Sequence, residues 1–312
     1  MNPLLLLASL FTFPAFAQQR PTDGFDELFK QGVLYFSQEQ FPAARSYLEK
    51  AVAARPRSFQ ARFLLGATLV QLNDTAGAIR ELQAAHQLNP KHADALKLLA
   101  TQYVGARQFR EAIALLRPLV DVAPFDEELH LLLIQAFQSS GDSTRAFELA
   151  QKAARRFPAS SQVACWLGFQ LQFSGRYEES NKHLRKAIEL EPSYPVSYYL
   201  LAEVLLQEEK HKEAIGYFRQ AIERMPDDAE ALMGLSRALL GLNQTAEALQ
   251  ELQKAAQAAP QDARVHLQLS RLYFRLGDET RAQQEADLAL RLRAPQSILV
   301  EAPAALRTRP SR

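Results

Sequence analysis

Three arginines, Arg264, Arg271 and Arg275, stand at i, i+7 and i+11. At about 100° per residue they share one face of a helix. Arg237 lies 34 residues before Arg271. Guanidinium groups gathered in this way hold carboxylates through charge-assisted, forked hydrogen bonds. The chemistry suggested is recognition of an acidic group rather than bond making. The side chains that make and break bonds are dispersed. The histidines are His86, His92, His130, His183, His211 and His266. None forms an H-E-x-x-H pair, and none has a cysteine at metal-ligand spacing. Cys165 is the sole cysteine, so no intramolecular disulfide or cysteine metal cluster forms, and it reads as a small apolar filler. GLSRA, Gly234 to Ala238, approaches a nucleophile elbow but lacks the final glycine and falls within a helical pattern. Asp227 and Asp228 read as a loop and a helix cap. The sequence holds no Walker-type loop and no glycine-rich dinucleotide turn. It predicts no enzyme, no metal and no cofactor.

The elements that carry these residues are helical. Ala, Leu, Gln, Glu and Arg dominate the 312 residues, and only twelve are glycine. With 47% hydrophobic residues the chain can bury a large core or build a long array. Thirty-six basic residues face 35 acidic ones, a net charge of +1 that supplies no field for nucleic acid.

A ruler of 34 residues organises the chain. Pro56, Pro90, Pro124, Pro158, Pro192, Pro226 and Pro260 are evenly stepped. Let units start at residues 25, 59, 93, 127, 161, 195, 229 and 263. Place 7 is then leucine in seven units, Leu65 to Leu269. Place 20 is alanine except for Ser180, and place 27 is alanine except for Leu119. Each unit holds two amphipathic helices too short to stand alone. Small residues at places 20 and 27 let the second helix lie close to its neighbours, and proline after it stops the helix. Gly141-Asp142, Gly277-Asp278, Asn73-Asp74 and Gly175-Arg176 read as the turn between the helices, with Asp capping the second. Pro42 and Pro195 suit a first helical turn. Pro118 falls inside the second helix of unit three and is expected to kink or shorten it.

The ladder resembles the tetratricopeptide repeat, a 34-residue helix–turn–helix unit. Unit two shows the pattern well, in Leu64-Leu65-Gly66, Leu69, Ala78, Leu82, Ala85 and Pro90. The family's tryptophan at place 4 is missing, and Trp166 sits two places later in its unit. The resemblance implies an all-α, right-handed superhelical solenoid of about eight units over residues 25–296. It also implies a concave groove lined by places 2, 5, 9, 12 and 13 of the first helices. Place 5 reads Phe29, Phe63, Lys97, Leu131, Cys165, Tyr199, Met233 and Leu267, a largely apolar row, with Phe169 and Phe173 adding aromatic surface. On this reading Phe63, Phe169, Phe173, Tyr199, Arg237, Arg264, Arg271 and Arg275 form a partner-binding groove, apolar in the middle and basic at its C-terminal end. Against it stands the alternative that the row packs between helices and the arginines are solvated or pair with Glu203. The lysine and asparagine pair of chaperone-tail clamps is missing, since Thr101 follows Lys97 at the partner place.

Residues 1–17, MNPLLLLASLFTFPAFA, carry no charged side chain and end in Ala15-Phe16-Ala17. They read as a secretory signal peptide cleaved after Ala17, too short to span a bilayer as a helix. Residues 18–24 form a short leader, and residues 297–312 a tail with proline and arginine. The end faces of the array are expected to be polar. The predicted function is an exported, non-catalytic scaffold for a protein or peptide partner, in a periplasm or outside the cell, with no membrane span after cleavage. Alternatives are an accessory or regulatory subunit of an envelope secretion or polysaccharide complex, and a cytoplasmic adaptor if the leader is not a signal.

Overall fold

The computed structural model describes residues 24–123 and 125–292. Residues 1–17, read above as a signal peptide, Pro124 and residues 293–312, which include the expected tail, lie outside them, as do residues 18–23 of the expected leader. The first-helix series is α1 (Phe25–Ser37), α3 (Phe59–Gln71), α5 (Ala93–Gly105), α7 (Glu127–Ser139), α9 (Ser161–Phe173), α11 (Pro195–Gln207), α13 (Ala229–Gly241) and α15 (Ala263–Arg275). The second-helix series is α2 (Phe41–Ala54), α4 (Thr75–Leu88), α6 (Phe109–Val122), α8 (Ser143–Arg156), α10 (Tyr177–Leu190), α12 (His211–Arg224), α14 (Thr245–Ala258) and α16 (Glu279–Leu292). No strand occurs among the described residues. The chain divides into two compact units, one ending at Ala146 and one beginning at Phe147.

Local chemistry sets these boundaries. Ser58, Asp126, Ser160, Asp228 and Asp262 cap the helices that follow them, each accepting a backbone N–H of the first turn. His92 does the same with Nδ1, 3.3 Å from the Ala95 nitrogen. Asp74, Asp142 and Asp278 cap second helices as expected. Pro195 opens α11, and Pro42 is the second residue of α2. The turn inside every unit places residue 15 in the left-handed region. Glu39, Asn73, Arg107, Glu209 and Asn243 adopt φ of 57–61°, and Gly141, Gly175 and Gly277 adopt φ of 71–87°.

The core follows the ruler. Leu65, Leu99, Leu133, Leu167, Leu201, Leu235 and Leu269 are all buried. Ala44, Ala78, Ala112, Ala146, Ser180, Ala214 and Ala248 are fully buried, which lets second helices approach closely. The Ser180 hydroxyl donates to the Gly168 carbonyl at 2.7 Å, so the one polar residue at that place is satisfied. Gly168 itself is needed for space. A Cβ there would stand 2.6 Å from Cγ of Leu184.

Pro118 does not shorten its helix. It lies inside α6, yet that helix runs the full 14 residues, like every other second helix. Ala112 and Leu116 are fully buried, and this packing carries the helix past the missing N–H. The Pro118 side chain is exposed, so replacing it costs no packing. Pro118→Ala is expected to raise stability by about 1–2 kcal/mol, less than the ~3 kcal/mol of an isolated helix because packing already enforces the conformation. Chemical denaturation measures this, and an unchanged midpoint would contradict it.

The last described unit also exposes large apolar side chains. On α15 and α16 Phe274 is 70% exposed and Leu290 64%, and Leu276 just beyond α15 is 49%.

Candidate partner-binding face

The apolar row at place 5 is packed inside rather than displayed. In the first compact unit Phe63 is 2% exposed. Its ring stacks on Phe59 at 5.7 Å and lies 5.2 Å from the ring of His92. That histidine is fixed by its capping bond, so the loop before α5 forms a lid over Phe63. Phe29 and Leu131 are also buried. Lys97 binds Asp126, and its Nζ lies 3.5 Å from Glu128.

In the second compact unit Phe169 is 3% exposed, held edge-on by Trp166 at 5.8 Å. From it Phe173 continues outward, 4.8 Å away and 49% exposed. Cys165 is fully buried beside the Ser197 hydroxyl, which donates to its sulfur at 3.6 Å. Burial pushes that thiol up to about 12, so it carries no thiolate for chemistry at neutral pH. Met233 is buried, Tyr199 half-buried, and Leu267 is 38% exposed. Of the predicted aromatic groove, Phe63 and Phe169 are therefore core residues, and Phe173 is the ring left open. The reason is tertiary, since the His92 ring covers Phe63 and the Trp166 ring covers Phe169.

The arginines divide into two classes. Arg237 binds Glu203, the residue one period before it. Arg264 binds Glu230, again one period before, at 2.5 Å, and Asp262 at 2.6 Å. These four residues form two rungs between successive first helices. Burial pushes the Glu203 carboxyl above the usual glutamate range, with Arg237 opposing and Glu230 adding to the rise. Burial, then the Glu203 and Glu230 carboxylates, push the Tyr199 hydroxyl well above its ordinary value. Burial pushes Asp262 up, but hydrogen bonds from Arg264 outweigh it and the net shift is downward. Arg264 is raised by its bonds to Asp262 and Glu230. Arg237 and Arg264, predicted as receptors for a partner, are thus engaged within the chain. Arg271 and Arg275 are exposed, and neither has an ion-pair partner among the described residues. The alternative in which the arginines pair with Glu203 is the one Arg237 follows, while the Glu230 partner of Arg264 was not named from the sequence. Phe274 stands at place 12 of α15, one of the places the resemblance assigns to the groove, although the sequence reading did not single it out.

A tetratricopeptide repeat family model matches residues 69–136, 205–266 and 239–301, more than half of the chain, and a second such model matches 29–93 and 171–229. The chain belongs to the tetratricopeptide repeat family. Among solved structures, the tetratricopeptide repeat protein from Parabacteroides merdae ATCC 43184 matches with a TM-score of 0.67 at 14% identity, over 86% of this chain and 99% of that one. Pseudomonas aeruginosa pilF matches with a TM-score of 0.56 at 24% identity, over 65% of this chain and 92% of that one. Both likenesses concern the fold. Tetratricopeptide repeat protein 7B of Mus musculus is 27% identical over 188 residues, 55% of this chain. That match spans only 22% of the mouse protein's length. Tetratricopeptide repeats are units of protein–protein interaction scaffolds, and such arrays bind through extended surfaces. No helix among the described residues is long and apolar enough to cross a membrane.

Proposed function

We infer that this tetratricopeptide repeat protein is a non-catalytic scaffold, exported to a periplasm or the cell exterior, which holds a segment of another protein against its first helices. The observation that carries the reading is the division of its polar groups. Arg237 and Arg264 serve the array itself, and Cys165 is sealed, while Arg271, Arg275 and Phe173 are offered to solvent. A surface with charge and an aromatic ring but no nucleophile–base pair suits recognition rather than turnover. The charge-free leader ending at Ala17 supports export.

Crosslinking pull-down with the protein in its native organism, followed by mass spectrometry, tests the scaffold role. A reproducible partner is expected, and none in replicate captures would count against it. N-terminal sequencing of the mature protein tests export separately. A start at Gln18 is expected; an intact Met1 would overturn export and leave an adaptor that acts inside the cell.

A further inference from the structure

The scaffold reading leaves the chemistry of the partner open, and the outer face of α15 narrows it. Leu267, Arg271, Phe274 and Arg275 stand at i, i+4, i+7 and i+8, so they share one side of the helix. All four are exposed, Phe274 to 70% and Leu267 to 38%. The helix contains no acidic residue. The rungs Glu203–Arg237 and Glu230–Arg264 show what arginines of these first helices do when a carboxylate lies alongside. Arg271 occupies the same place in its unit as Arg237, and no carboxylate reaches it among the described residues. A large exposed aromatic ring beside two unneutralised guanidiniums fits a ligand that is at once acidic and apolar.

Resting on the scaffold role, we propose that α15 docks an acidic polypeptide segment of a partner protein, through Arg271 and Arg275 to two carboxylates and through Phe274 and Leu267 to apolar side chains beside them. The two arginines are one helical turn apart, about 6 Å along the axis. Alternate residues of an extended strand are separated by about 6.6 Å, so an extended segment with acids at every second position matches the pair. An open strip of this kind receives a chain segment rather than enclosing a small molecule.

The test uses fluorescence anisotropy with the purified full chain and two labelled peptides, one containing Glu-Leu-Glu-Leu-Glu and the other Lys-Leu-Lys-Leu-Lys. The acidic peptide is expected to bind at low salt and the basic one not to. Arg271→Glu with Arg275→Glu should weaken acidic-peptide binding by about tenfold or more. Phe274→Ser should weaken it several-fold at unchanged salt dependence. The charge-matched control Arg110→Glu with Arg117→Glu, exposed on α6, should leave it unchanged. Circular dichroism melting confirms that each variant is folded. Equal binding of both peptides, or equal loss in the control, overturns the proposal. So does a tighter peptide complex in Glu301→Gln, which would assign the arginines to the chain's own carboxylate, or a dimer that the double glutamate variant dissolves. If native partners are captured equally by wild type and by that variant, the scaffold role stands and this assignment alone fails.

Discussion

Gly234→Leu is expected to lower stability by about 3 kcal/mol, at the upper end of ordinary overpacking effects. The position has no room for any side chain. A Cβ at Gly234 would stand 2.3 Å from Cε1 and 2.5 Å from Cζ of Phe218. Phe218 is fully buried, with the Tyr199 ring 6.2 Å away, so its ring cannot swing into solvent. The two residues are a matched pair of volumes. Place 24 is leucine in five other units, Leu48, Leu82, Leu116, Leu184 and Leu252, and phenylalanine only here. Place 6 is leucine in four units, Leu64, Leu98, Leu132 and Leu200, and glycine only here. The unit starting at 161 shows the opposite choice, since small Ala150 one unit earlier at place 24 accompanies Trp166 at place 6. Phe218→Leu alone should cost about 1 kcal/mol as a partial cavity. Combined with Gly234→Leu it should restore most of the loss, a favourable coupling of about 1–3 kcal/mol in a double-mutant cycle read by chemical denaturation. A double variant no more stable than Gly234→Leu would refute the volume-matching account.

Arg237→Ala should cost about 2 kcal/mol at neutral pH. Stranding a fully buried charge costs 3–5 kcal/mol, and the figure is discounted here because the Arg237 side chain is 42% exposed to screening solvent. The pH dependence identifies the cause. Glu203 already binds its proton more tightly in the folded chain than an ordinary glutamate, because burial outweighs Arg237. Without Arg237 that imbalance grows. A carboxyl with a raised folded pKa contributes stability below its unfolded value, about 4.3, and loses it as pH rises through the folded value. The deficit of the variant should therefore be full at neutral pH and shrink as pH falls toward that of an unfolded glutamate. Adding Glu203→Gln should remove most of the deficit at neutral pH. A deficit that is the same at every pH would assign the loss to the packing of the arginine stem instead.

The fold was legible because its determinants are local and repeated. Proline positions, caps such as Asp74 and Asp228, and the small residues at places 20 and 27 state directly where a helix stops and where another can approach. The face was less legible. Whether Phe63 is displayed or buried depends on His92, which lies in the next loop and whose ring is fixed by its own helix cap. Whether an arginine is free depends on the opposing place 34 residues away, so Arg237 and Arg271 look alike in sequence and differ in the fold. Pro118 does not shorten its helix for a related reason, since buried Leu116 and Ala112 hold the helix to its full length.

The left-handed residue at place 15 has a consequence for how the array can change. Glycine adopts that conformation freely, and asparagine tolerates it, whereas Glu39, Arg107 and Glu209 hold it at a cost of roughly 1 kcal/mol each. These joints lie in the turns just beyond the first helices, at a place that carries neither of the two rungs. Substitution there alters how readily a single unit opens without altering what the first helices present. Stiffness and recognition are thus written at separate places of the 34-residue period, and each can drift or be engineered without disturbing the other.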